Sequence, residues 1–151
     1  MMKHNAVLNA VLIVTFLVFL VFTTAGQRGF AADYEVPNVI DGAMPVSAEE
    51  LSDLMSEMDN LVLIDSRQTE HFQQGSIKGA ISLPDVSTSP STLSQLIPDK
   101  LTPVVFYCEG LNCVHSMKSA LKAVSYGYAN IFWFRGGIEE WTEKGFPVVN
   151  N

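Results

Sequence analysis

An α/β domain on a largely parallel sheet is what this 151-residue chain predicts, and three observations carry the prediction. Short unbroken apolar runs recur at Leu61-Val62-Leu63-Ile64, Val104-Val105-Phe106-Tyr107 and Ile131-Phe132-Trp133-Phe134. The first, ending at Asp65, lacks any polar alternation, as a strand covered on both faces requires. Between the runs, apolar residues return at helical spacing. Gly and Pro mark the changes from one pattern to the other, as at Pro84, Pro98, Pro103 and Gly127. Strands alternating with helices pair in parallel, and ligands of such sheets collect at the carboxyl ends of the strands.

The chain opens on Met1-Met2-Lys3-His4, followed by an almost wholly apolar run from Ala6 to Ala25, broken only by Asn9, Thr15, Thr23 and Thr24. Small residues at Thr24-Ala25-Gly26 and Gly29-Phe30-Ala31 offer cleavage positions. The run is also long enough to cross a bilayer, at about 20 residues per span. Residues 1–32 therefore read as a signal peptide or as an N-terminal membrane anchor through residues 6–25. On either reading the globular part is expected to be exported, to a bacterial periplasm or cell envelope. Residues 33–43, polar and carrying Pro37, Asn38 and Gly42, read as a linker to a domain over 44–149.

Each element of that domain has a local cause. Ser47-Ala48-Glu49-Glu50 has the form of a capping box, and Leu51, Leu54, Met55 and Met58 continue it at helical spacing. Ala80-Ile81-Ser82-Leu83 is a short strand closed by Pro84. Residues 90–97 suit a short helix. Residues 116–126 place Met117, Ala120, Leu121 and Val124 on one helical face, with Gly127 as terminator. Residues 137–144 form a last short helix.

Beyond residue 32 the chain has seven basic and sixteen acidic side chains, a formal charge of −9. A phosphate backbone would meet repulsion and no basic stripe, so nucleic acid is not an expected partner. The acidity reads as solubility.

Both cysteines lie in the segment Cys108-Glu109-Gly110-Leu111-Asn112-Cys113-Val114-His115-Ser116, where a strand gives way to a helix. Unpartnered amides and the helix dipole favour negative charge there, and the thiolate is the reactive form of cysteine. Two cysteines in an exported domain also fit a structural disulfide. Such a bridge would close a very small loop and remove little chain entropy. A Cys-x4-Cys-x-His metal site has too few ligands of the usual spacing, so no metal is expected.

The chain also resembles the rhodanese family over nearly all of residues 44–149. The residues that carry the resemblance are Leu63-Ile64-Asp65-Ser66-Arg67, Glu70-His71-Phe72 and Gly75-Ser76-Ile77-Lys78-Gly79-Ala80-Ile81-Ser82-Leu83-Pro84. Tyr107-Cys108, Gly127-Tyr128, Arg135-Gly136-Gly137-Ile138-Glu139-Glu140-Trp141 and Gly145-Phe146-Pro147-Val148 follow in the family order. The resemblance implies a three-layer domain with a central, mostly parallel five-stranded sheet flanked by helices. It implies a sulfurtransferase that carries sulfane sulfur as a persulfide on Cys108, without a cofactor. The sulfur passes from a small anionic donor such as thiosulfate or polysulfide to a thiol, cyanide or protein acceptor. The backbone of Glu109, Gly110, Leu111, Asn112, Val114, His115 and Ser116 is the matching substrate-binding loop, and Asp65 with Arg67 a supporting pair.

Two departures stand out. The family loop commonly has a basic residue just before the serine that starts the helix, whereas this chain reads Cys113-Val114-His115-Ser116. The loop is also about two residues longer than the usual form. Anion recognition then falls to backbone amides, with His115 or Lys118 as electrostatic help. Phosphatases that share the fold need an arginine near the loop end, and none lies between Cys108 and Arg135. Ser76 stands where the family often has histidine. Cys113 reads either as a resolving thiol or as a structural residue, a small buried side chain or half of a permanent bridge. Arg135 reads as a solvated side chain, Gly136-Gly137 as a tight turn beneath the site, and Trp133, Phe134 and Trp141 as core or cleft-wall aromatics. The competing functions are a non-catalytic binding module of the same fold and a Cys108/Cys113 dithiol-disulfide redox protein.

Overall fold

The computed structural model describes residues 36–151, so the expected export segment and its cleavage positions lie outside the described residues. Among the described residues no helix is long and apolar enough to cross a membrane.

The chain runs β1 (Met44–Pro45), α1 (Ala48–Glu57), β2 (Val62–Asp65), α2 (Thr69–Gln74), β3 (Ser76–Ile77) and β4 (Ile81–Ser82). A 3-10 turn (Asp85–Ser87), α3 (Pro90–Leu96), β5 (Val104–Tyr107), α4 (Val114–Ser125), β6 (Ile131–Phe134), α5 (Gly137–Glu143) and β7 (Val148–Val149) complete it. Five strands form one sheet in the order β1-β6-β5-β2-β4, and every neighbouring pair is parallel. The expected three-layer α/β architecture is therefore present. β3 and β7 form a separate antiparallel pair.

Alternate side chains of each strand point to opposite faces, and the two halves of the core follow. Ile64, Val104, Phe106, Ile131 and Trp133 pack with Leu93 of α3 and Met117, Ala120 and Ala123 of α4. Leu63, Val105, Tyr107, Phe132 and Phe134 pack with Leu51 of α1 and Ile138 and Trp141 of α5. The capping box at the start of α1 forms as expected: Ser47 Oγ accepts from the Glu50 amide at 3.2 Å, and Glu50 Oε2 accepts from the Ser47 amide at 2.8 Å.

Two expectations need correction. The described part of the supposed linker is not a spacer, because Val36 and Ile40 are buried in the first core cluster. Their apolar side chains gain more from the sheet face than a polar linker reading allowed. The helix expected from residue 116 begins at Val114, because the Cys113 amide donates to the Gly110 carbonyl at 2.9 Å and turns the chain into the helix early.

Candidate functional site

Cys108 follows the last residue of β5, the middle strand of the sheet, where its side chain is fully buried. It stands two residues after Phe106, on the side of the sheet that α4 covers. The loop Glu109–Cys113 then delivers the chain into the first turn of α4. The amides of Val114, His115 and Ser116 have no intrahelical acceptor in that position, so the expected cradle is half loop and half helix.

Ser116 turns its hydroxyl onto the cysteine, with Oγ 3.2 Å from Cys108 Sγ. Trp133 Nε1, from the neighbouring strand β6, donates to the same Oγ at 3.0 Å. An indole N–H can only donate, so the Ser116 oxygen accepts from it; Cys108 Sγ, bonded to Cys113, has no proton to give, so the Ser116 proton is the one that can face the sulfur. All three groups are buried. Trp133, read from sequence as a core or wall aromatic, thus also holds the hydroxyl that lies against the Cys108 sulfur. The register that sets Phe106 opposite Trp133 places the indole beside the loop.

The first turn of α5 holds the other side of the loop. Ile138 N–H donates to the Cys108 carbonyl at 3.0 Å and Glu139 N–H to the Glu109 carbonyl at 2.9 Å. Gly137 makes this approach possible. Its φ is +62°, and a Cβ there would stand 2.5 Å from the Cys108 carbonyl oxygen. The expected tight turn beneath the site is this contact.

Asp65 and Arg67, expected as a supporting pair, form a buried ion pair. Arg67 Nε donates to Asp65 Oδ1 at 3.0 Å and Nη2 to Oδ2 at 2.7 Å, while Nη2 also reaches the Gly75 carbonyl at 2.7 Å. Burial opposes the guanidinium charge, but the Asp65 carboxylate outweighs it and raises the Arg67 pKa. Tyr107 accepts the Ile77 amide at 3.2 Å; burial, with Asp65 nearby, pushes its phenol well above the usual range. Arg67 Nη1 lies 3.5 Å from Glu109 Oε2, so the guanidinium is compensated on both sides.

The remaining candidates are distributed less favourably for an anion. His115 Nδ1 is 2.8 Å from Asp85 Oδ1, so its ring is committed to the carboxylate that opens the 3-10 turn. Lys118 is exposed on α4. Arg135 is half-buried, with Nη2 donating to the Val36 carbonyl at 3.1 Å, which corrects the expectation of a solvated side chain.

A cleft of about 430 Å³ opens beside the loop, lined by Glu109, Gly110, Leu111, Asn112, Cys113, Gly136, Glu139, Glu140 and Glu143. Four carboxylates and no arginine or lysine form its wall. Sequence reasoning missed this. Glu139, Glu140 and Glu143 come from α5, about thirty residues beyond the loop, and only the helix period groups them. Gly110 is the other hidden residue: a Cβ there would strike the Glu139 carboxylate. Cys113 lines the cleft whereas Cys108 does not, and the two are joined in a disulfide. No group of three or more potential metal ligands occurs among the described residues.

A family model described as a rhodanese-like domain matches residues 47–144. A sulfurtransferase of Allochromatium vinosum is 29% identical over 104 residues, covering 69% of this chain and 92% of that protein. A solved Bacillus halodurans protein superposes with a TM-score of 0.64 at 25% identity, over 72% of this chain and 77% of the other. A thiosulfate sulfurtransferase of Pseudomonas aeruginosa gives 0.59 at 27% identity over 72% of this chain, which spans only 20% of that longer molecule.

Proposed function

The chain belongs to the rhodanese-like family, a family of sulfurtransferases, and from that premise we propose that it carries sulfane sulfur as a persulfide on Cys108. The observation that carries this reading is the buried Cys108 sulfur 3.2 Å from the Ser116 hydroxyl, whose oxygen accepts from the Trp133 indole N–H. A hydroxyl proton and the first-turn amides of α4 both favour a sulfur anion over a neutral thiol. They serve the attacking thiolate and the persulfide alike. The thiolate attacks the sulfane sulfur of the donor and the donor's remaining group leaves with the electron pair. An acceptor nucleophile then takes the outer sulfur and restores the thiolate.

The acidic cleft bears on the donor. A like charge about 4 Å away costs about 1 kcal/mol even in water, and more beside protein walls. Four carboxylates therefore place a sulfur donor bound to a larger thiol, such as a low-molecular-weight or protein persulfide, ahead of free thiosulfate. Export to the periplasm or cell envelope through residues 1–32 remains part of the proposal, supported by the apolar run alone.

The test is to reduce the full-length chain, expose it separately to thiosulfate, polysulfide and a thiol persulfide, and weigh the intact protein. One added sulfur on the wild type and none on Cys108→Ser is the expected result. Sulfur that loads equally well onto Cys108→Ser would remove Cys108 as carrier. If no donor loads the wild type, the dithiol redox reading, which the bonded Cys108–Cys113 pair favours, takes its place.

A further inference from the structure

We propose that Cys113 discharges the Cys108 persulfide, so that the protein releases sulfane sulfur as hydrosulfide and is left with the Cys108–Cys113 disulfide. The inference rests on Cys108 as the persulfide carrier and adds a second activity, intramolecular persulfide reduction. Three observations on the two cysteines converge on it. They are bonded at a sequence separation of 5, with Cα atoms 6.4 Å apart, so the fold brings the two sulfurs into bonding contact. Cys108 is fully buried against Ser116, whereas Cys113 lines the open cleft. The peptide between them, Glu109–Asn112, is the loop that would receive a donor, so the bond closes a ring through the substrate site itself.

The step balances without an outside oxidant. The Cys113 thiolate attacks the inner sulfur of the Cys108 persulfide, the bond to the outer sulfur breaks, and its electron pair leaves with that sulfur, which takes up a proton as hydrosulfide. The sulfane sulfur is reduced by two electrons and the two cysteines are oxidised to the disulfide. A thiol or dithiol reductant must reopen the bond before another sulfur can load. Cys113 is the sulfur it reaches from the cleft. Attack there expels Cys108 as a thiolate into the Ser116 hydroxyl and the helix N-terminus, the better leaving position of the two. The same bond therefore acts as a gate: the oxidised protein cannot accept sulfur.

The test uses the full-length chain, fully reduced, loaded with polysulfide, freed of excess donor and kept without oxygen or added thiol. In the wild type, one hydrosulfide per chain is expected to appear as the intact mass falls to that of the disulfide. Cys113→Ser and Cys113→Ala should keep their added sulfur about tenfold longer or more, because without the intramolecular attack only bimolecular release remains. Added thiol then releases it from both variants. Wild type that holds its sulfur as long as the variants would overturn the proposal, as would hydrosulfide release without disulfide formation. If the two variants take up no sulfur while Cys108 is free and reduced, the carrier reading fails too, and the proposal falls with it.

Discussion

The Ser116 hydroxyl is the smallest group on which the proposed reactivity of Cys108 turns. It lies between an indole N–H that can only give a proton and a sulfur that gains from receiving one. Hydrogen bonds to charged groups are worth roughly 1.5–3 kcal/mol. Ser116→Ala should therefore slow alkylation of reduced Cys108 at neutral pH by about tenfold or more, measured in the Cys113→Ser background so that one thiol reacts. The difference should vanish in alkaline buffer, where the thiolate forms without help. Trp133→Phe keeps the aromatic packing and removes only the donor, so its effect should be in the same direction and a few-fold, on the order of 1 kcal/mol or less. An equal deficit at all pH values would mean that these residues shape access rather than charge. The place of Cys108 between a strand and a helix was legible in the sequence because the apolar run, the cysteine and the helical pattern follow one another. The Ser116–Trp133 contact was not, since it depends on which strands are neighbours and at what register, and an aromatic in a strand reads first as core.

At the scale of elements, the first turn of α5 is what holds the loop, and Gly137 is where that fails if altered. Its φ of +62° disfavours any side chain, and the Cβ of an alanine would meet the Cys108 and Glu109 carbonyls at 2.5–2.6 Å. Gly145 supplies the control, with φ +81° and nothing within 4 Å of a Cβ. Gly145→Ala should cost about 1–2 kcal/mol in denaturant unfolding, the left-handed penalty alone. Gly137→Ala should cost more than that, about 3 kcal/mol or above, and should also reduce sulfur loading because the Cys108 carbonyl must move. Equal effects on stability and on loading would show the close approach to be unimportant. The long elements were readable because each carries a pattern: an aliphatic run for β2, a capping box for α1, a terminal glycine for α4. The two-residue strands β1, β3, β4 and β7 offer too few residues for any period, and α2 buries no side chain. Their existence is set by the strands and turns around them. Of these, only β4 was visible, and only because Pro84 closes its apolar run.

Across the whole molecule the charge is not a neutral background to this site. The described domain is strongly acidic, and four of its carboxylates are gathered at the cleft that Cys113 and the loop before it line. Arg67 and His115, two basic side chains around the loop, are each held by a carboxylate, through Asp65 and Asp85. Composition alone suggested solubility. The fold gives the same charge a direction, because the α5 carboxylates and the cysteine loop meet only when β5 and β6 lie side by side. The cleft should therefore repel a free dianion, and removing one charge should relieve it. Glu139 is the residue to change, as its carboxylate stands over Gly110. Glu139→Gln should load sulfur from thiosulfate several-fold faster than wild type at low ionic strength, with the advantage fading towards about 1 M salt, where the screening length is roughly 3 Å. Loading from an uncharged persulfide donor should change far less. A thiosulfate rate that is indifferent both to Glu139→Gln and to salt would mean that the carboxylates do not govern entry, and thiosulfate would return to the front as donor.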